Sequence, residues 1–350
     1  MRISRYRYET TEETHRTTNF EIFFDLVFVF TLTRIVEFMA ETPTAVTMLR
    51  GLILILLLWF SWSSYAWLGN EARADVGLIR TGILTAMAAL FVAALAISDA
   101  WQEEVRPLPA PLLLAAAYLV VRVVHLTLYL YVSRSPQLTR TLRLSAIPTA
   151  LAWIPLVVGA LIGGTVQTVL WAVAFLIDVG GGRIASGYSP WELRSVSHFT
   201  ERHRLVIIIA IGESLISIGL GAGAELATWW VLLAALLGFV VTVCLWRLYF
   251  DRFAPVIEYV MATAPRARRG IIAGDAFSLA HLPMIAGIMY IALGIEQVLA
   301  MLMHHGTDDQ LTLPGVVALY CGGALYLVGR ALCLRLTAGR TALPPVVGAV

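Results

Sequence analysis

Lysine is missing from this chain: all 25 of its Lys-plus-Arg positions are arginine. Without a side-chain primary amine there is no retinal Schiff base and no covalent pyridoxal phosphate. Charge of either sign is scarce, at 14% of residues, against about 25% in soluble domains. No polar stretch is long enough to fold as a separate soluble domain. The charged run from Met1 to Asn19 is too polar for a cleavable signal. The three cysteines, Cys244, Cys321 and Cys333, lie in apolar runs without ligand spacing and read as small core residues. Gly180-Gly181-Gly182 ends in Arg183, where a phosphate loop needs Lys and then Ser or Thr, so it reads as a flexible span exit. His198 and His203 lie five apart with Glu201 at the wrong offset for a zinc-protease motif. His304, His305, Asp308 and Asp309 gather on an outer loop, where metal binding is the weaker reading. No cofactor and no metal site is expected.

What is present is apolar: 59% hydrophobic residues and a mean hydropathy of +0.79. The expected fold is all-α, a polytopic helical membrane protein whose first partner is the lipid bilayer of the plasma (inner) membrane. At about 20 residues per crossing, ten spans fit, at 21–39, 47–68, 78–98, 109–132, 144–162, 165–180, 205–221, 227–250, 273–301 and 313–335. Residues 1–350 then form a single transmembrane domain with a cytoplasmic segment 1–19 and a C-terminal segment 336–350. Leu343 to Val350 turns apolar again and resembles the entrance to a further span. Arginines support this topology. Arg2, Arg5, Arg7, Arg16, Arg73, Arg134, Arg140, Arg143, Arg183, Arg194, Arg202, Arg204, Arg252, Arg266, Arg268, Arg269 and Arg340 all fall on inner segments if the N-terminus is cytoplasmic. The outer loops hold Arg106, while Arg34 and Arg50 lie in spans. Basic residues so placed read as topology, and no nucleic-acid partner is expected.

Polar residues inside spans carry the functional signal, because an intramembrane charge costs roughly 2.5–3.5 kcal/mol on insertion scales. Glu21 and Asp25 share one face of the first span. Glu21 suits a helix N-terminus; Asp25 lies a turn deeper among Phe24, Leu26 and Phe28. The second span ends with Trp59, Trp62, Tyr65, Trp67 and Asn70, an interfacial belt or a face turned inward. Tyr118, Arg122, His125 and Tyr129 form one polar stripe on the fourth span. Arg122 should pair with a carboxylate, Asp25 or Glu213. Asp178 closes the sixth span. Glu213 lies mid-span among Gly212, Ser214 and Ser217, where small residues admit a partner helix. Thr242, Trp246, Tyr249 and Phe253 recur on the eighth span beside Arg247 and Asp251. Asp275 and His281 lie about 120° apart on the ninth, and Pro283 predicts a local break beside His281.

Two stretches then carry a resemblance. Glu21-Ile22-Phe23-Phe24-Asp25-Leu26-Val27-Phe28-Val29-Phe30 and His198-Phe199-Thr200-Glu201-Arg202-His203-Arg204-Leu205 through Glu213-Ser214 resemble the two signatures of the bacterial low temperature requirement A (LtrA) family. Trp246 to Phe250 and Ala280 to Gly287 resemble two further blocks. Family members often carry Gly where Arg204 stands, and they tend to run longer than this chain. The family is named for growth in the cold, which implies no biochemical activity.

The expected site is a polar cavity in the inner half of the membrane, built on Asp25, Arg122, His125, Glu213 and His281. Glu21, Trp62, Asn70, Tyr118, His198, Glu201, Arg202, Trp246, Tyr249 and Asp251 support it. Spans one and two resemble spans seven and eight, which suggests a parallel repeat. Three readings stay open. One is a transporter or channel for a small solute or ion with proton-linked carboxylates. The second is an enzyme on a lipid or isoprenoid, although no nucleophile–base pair stands out. The third is a non-catalytic sensor or scaffold. The moving solute, ion or lipid and the oligomeric state are not legible.

Overall fold

A computed structural model describes residues 8–102, 107–133, 135–188, 191–222, 228–305 and 310–338. Arg2, Arg5, Arg7, Arg106, Arg134, Asp308, Asp309, Arg340, the His305 side chain and the stretch 343–350 lie outside the described residues. The described residues form helices and no strand. In order they are α1 (Asn19–Glu41), α2 (Ala45–Glu71), α3 (Gly77–Ala96), α4 (Ala110–Val132), α5 (Pro136–Ile162), α6 (Gly164–Tyr188), α7 (Val196–Ala222), α8 (Trp229–Phe250), α9 (Phe253–Thr263), α10 (Arg266–Ile272), a π-helical stretch (Ala273–Leu279), α11 (His281–His305) and α12 (Leu313–Ala338).

Nine helical stretches among the described residues are long and apolar enough to cross a membrane. The chain is thus an all-α, multi-pass membrane protein. The expected first span, 21–39, is the α1 helix, and it falls outside that set. Its middle is apolar, but Asp25, Arg34 and Glu37 crowd one stretch with charge, and each costs heavily in hydrocarbon.

Helix starts follow local chemistry. Ser135 accepts from the Leu138 N–H at the head of α5, where Pro136 supplies the first helical residue. Thr228 does the same for α8 through the Val231 N–H. The tight α5–α6 turn needs two residues at positive φ, Gly163 at 80° and Gly164 at 58°, a region that only glycine enters freely.

The chain divides into two compact units. One comprises residues up to Phe38 together with Leu49–Arg202. In it α3 packs on α4, α4 on α5 and α5 on α6. The α5–α6 contact is close: a Cβ on Gly181 would stand 2.1 Å from the Pro148 Cβ. That packing corrects the flexible exit expected at Gly180–Gly182, since α6 runs helically through it to Tyr188. The other unit comprises Met39–Met48 and the chain from His203 onward. Its densest contact is α11 along α12. There Gly287 and Gly294 on one helix meet Gly322 and Leu319 on the other at backbone distance. Its α8 leaves Trp230, Leu233, Leu236, Leu237, Phe239 and Val240 exposed, an apolar surface suited to lipid.

Candidate functional site

The charged centre of the first unit joins α1 to the start of α7. Glu21 begins as a capping residue. The Thr18 hydroxyl faces the Glu21 N–H at 3.3 Å, and the Glu21 Oε2 accepts from the Thr18 N–H at 3.0 Å, which is a capping box. Its other oxygen, Oε1, meets the Arg202 Nη1 at 3.0 Å and the His198 Nε2 at 2.8 Å. Arg202 also donates from Nε to the Asp25 Oδ2 at 3.2 Å and from Nη2 to Oδ1. The Trp62 indole N–H completes Asp25 at 2.7 Å. Asp25 and His198 are wholly buried, and Glu21 and Arg202 nearly so. The guanidinium also lies over the Phe24 and Trp62 rings, an electrostatic attraction that needs no counter-ion.

Asn70 sets the tautomer of His198. Its Oδ1 accepts from the Arg194 N–H at 2.8 Å and its Nδ2 donates to the Ser195 carbonyl at 2.6 Å. That orientation turns Nδ2 to the His198 Nδ1, 3.4 Å away, so Nδ1 is the acceptor and the proton lies on Nε2, toward Glu21. Gly69 lets α2 pass this group, since a Cβ there would stand 2.5 Å from the Glu21 Oε1.

Residues 8–17 lie across the same end of the unit. Thr10 bridges Ala72, the Thr11 N–H donates to the Glu71 carbonyl, and the Ser195 hydroxyl donates to the Glu13 and His15 carbonyls. The Thr17 N–H donates to the Glu201 Oε2 at 2.9 Å. The His15 ring lies 5.4 Å from the His198 ring. Burial holds the His15 pKa below its ordinary value, with His198, Glu21, Arg73 and Asp75 also facing it. The sign follows: a depressed pKa disfavours the docked state once the ring gains a proton. Docking is therefore complete above the free-histidine pKa of about 6.5 and weakens as pH falls below it. The protection of residues 8–17 against hydrogen exchange, corrected for the intrinsic pH dependence of exchange, should fall between pH 8 and pH 5.5, and His15→Gln should flatten that fall.

His15, Glu21 and His198 bring one possible ligand atom each within 4.8 Å of one another. The donor chemistry fits a proton better than a metal ion. The Glu21 Oε1 already takes two donors, one of them a permanent cation. Asn70 offers His198 a donor, where a metal-bound imidazole wants an acceptor.

A second buried network lies deeper in this unit. All four stripe residues of α4 are buried: Tyr118, Arg122, His125 and Tyr129. Within this unit Arg122 does not meet Asp25. It donates from Nη2 to the Asp178 Oδ1 at 2.9 Å, from the same nitrogen to Thr149 at 3.1 Å and from Nη1 to Ser64 at 2.9 Å. Thr149 and Tyr118 also donate to Asp178, at 2.6 and 3.4 Å. The expected pairing is corrected because Arg202 already satisfies Asp25, while Gly181 lets α6 approach α5 and carry Asp178 to Thr149 and Arg122. His125 packs against the Tyr65 and Tyr129 rings.

In the second unit, the expected break beside His281 takes the form of the π-helical stretch. Pro283 has no N–H to offer the Leu279 carbonyl, and the Ala280 N–H bonds five residues back to Asp275. His281 is fully buried. Its Nδ1 faces the Ala276 carbonyl at 2.8 Å and so donates, which leaves Nε2 to accept from the Tyr249 hydroxyl at 3.0 Å. Glu213, Ser214 and Ser217 are buried on α7. Trp246 is 41% exposed and stacks on Phe250. Asp251 pairs with Arg247 one turn back at 3.0 Å on the surface.

The family model for the bacterial low temperature requirement A protein (LtrA) matches residues 16–350. The chain belongs to the LtrA family. A Rhizobium meliloti (strain 1021) protein, named only as uncharacterized, is 27% identical over 341 residues, covering 92% of this chain and 79% of its own length. No solved structure matches. The stretches that resembled LtrA signatures supply all four members of the charged cluster: Glu21 and Asp25 from the first, His198 and Arg202 from the second. Sequence reasoning missed Asp178 and Thr149 as partners of Arg122, and His15 beside His198. Asp178 had a usable signal, as the acid of the sixth span.

Proposed function

We propose that this LtrA protein is a transporter or channel for a small solute or ion, in the plasma (inner) membrane with its N-terminus cytoplasmic, and that its intramembrane carboxylates are proton-linked. The charge of the α1–α7 cluster carries this reading. Glu21 and Asp25 bring two negative charges and Arg202 brings one positive, so with a neutral His198 the cluster is one proton short of neutrality. A buried group in that condition gains or loses a proton as its surroundings change. The His198–Glu21 contact offers the proton a place, and Glu213 on α7 is a second carboxylate for the same task. The distribution of arginines supports the orientation.

The test is proton flux into proteoliposomes under an imposed potential, followed with an internal pH dye. Asp25→Asn, His198→Gln and Glu213→Gln should each lower it at least tenfold while the protein stays folded. Unchanged flux in Asp25→Asn and His198→Gln would remove the cluster from the mechanism. The competing reading, a sensor or scaffold, draws on the complete internal pairing of Asp178 by Arg122, Thr149 and Tyr118. It expects the same variants to alter stability alone.

A further inference from the structure

A cavity of about 110 Å³ opens at the end of the first unit where α2 and α4 finish and α5 and α7 begin. Glu71 and Tyr129 are buried in it, and Glu192 and Arg194 stand exposed at its rim. Two of the hydroxyl protons in its wall are committed to carbonyls. Tyr129 donates to the Trp67 carbonyl and Thr141 to the Gln137 carbonyl, so both present lone pairs to the cavity. Ser135 accepts from the Leu138 N–H at the helix cap. Arg194 is tied by Nη2 to the Glu71 Oε1 at 2.5 Å. Tyr129, Thr141 and the carboxylates thus offer acceptors to the cavity, and its described residues carry two carboxylates against one guanidinium. At about 30 Å³ per water in the liquid, the space equals roughly four waters.

We propose that this cavity binds a small organic cation, an ammonium group on a short polar chain. A primary ammonium carries three donors and no acceptor, which complements hydroxyl lone pairs and a surplus carboxylate. Glu71 and Tyr129 form the floor that takes the ammonium, and Glu192 supplies the unbalanced charge at the mouth. The site is joined to the charged cluster by chain neighbours. Asn70, next to Glu71, accepts from the Arg194 N–H and faces the His198 ring. An occupant that draws Glu71 from Arg194 thus pulls on the residue that fixes the His198 tautomer. That the occupant is the transported solute rests on the transport reading; that the cavity binds it does not.

The test uses the full chain in nanodiscs with no gradient, and ethanolamine as the probe. Calorimetry should show saturable binding of ethanolamine, with glycolate and ethylene glycol giving at least tenfold weaker binding. Glu192→Gln should weaken ethanolamine at least tenfold, and Thr141→Leu, which fills the cavity, should abolish it. Glu192→Gln is a rim change and should leave the melting temperature of the unliganded protein within a degree, so its loss of binding is not a loss of fold. No saturable binding, equal binding of glycolate, or full binding by Glu192→Gln would overturn the proposal. Absent ethanolamine binding with proton flux intact sinks the site alone; binding without flux sinks the transport reading alone.

Discussion

Arg202→Ala will be the most damaging single change in the first unit. It removes the shared counter-charge of Glu21 and Asp25, whose side chains are 2% and 0% exposed. Two carboxylates are then left together in a dry site, one of them held only by Trp62. Breaking a buried pair by deleting one partner costs about 3–5 kcal/mol, and here one deletion strands two partners. The cost should appear as a collapse of membrane-inserted yield and of the denaturant midpoint. The neutral triple variant Glu21→Gln, Asp25→Asn, Arg202→Met should recover most of that stability, because the cost lies in the stranded charge rather than in lost shape. It should not recover proton flux. A single Arg202→Ala variant within about 1 kcal/mol of the wild type would mean that water or another cation reaches these carboxylates.

Gly287→Ala should destabilise the second unit by about 1–3 kcal/mol, the usual cost of overpacking. The added Cβ would lie 2.6 Å from the Gly322 carbonyl oxygen and 2.7 Å from the Tyr326 nitrogen. Both are backbone atoms and cannot rotate away, so α11 and α12 must part. Gly322→Ala meets the same seam from the other side, 2.8 Å from the Ile291 nitrogen, and should behave alike. Gly323→Ala, one residue on, meets nothing within 4 Å. It should be neutral or mildly stabilising, since alanine is the better helix former. Thermal unfolding of the three variants separates close helix packing from a general intolerance of methyl groups; equal melting of all three would refute the seam.

The helical, membrane-spanning character was legible from hydropathy, and so was the polar stripe of α4, because a period of 3.6 residues is written directly into sequence. Partnerships were legible only in part. Asp25 was matched to Arg122 by depth in the membrane, yet depth does not say which helices are neighbours. Arg202 was named as a supporting residue but not as the partner of Asp25, because hydropathy starts the seventh span at 205, whereas α7 begins at Val196. Its first two turns carry charges that the fold satisfies internally, so they look like loop when read alone. Asp178 was hidden by the glycines after it, which signal flexibility until a proline on a neighbouring helix is found filling the gap. The glycine seam could have been found: Gly287 and Gly294, like Gly322 and Gly329, recur at seven residues, the spacing of one helix face.

The capping box and ion pairs of α1 also set an order in time. Asp25 and the arginine that neutralises it are 177 positions apart. At roughly 5–20 residues per second, a ribosome needs about 10–35 s to make that stretch. For that interval α1 carries an uncompensated acid. The first helix to be synthesised should therefore be among the last to settle, held in the insertion machinery or at the lipid surface until α7 arrives. A stalled nascent chain that ends short of Arg202 should leave α1 open to aqueous labelling, and one extended past α7 should close it.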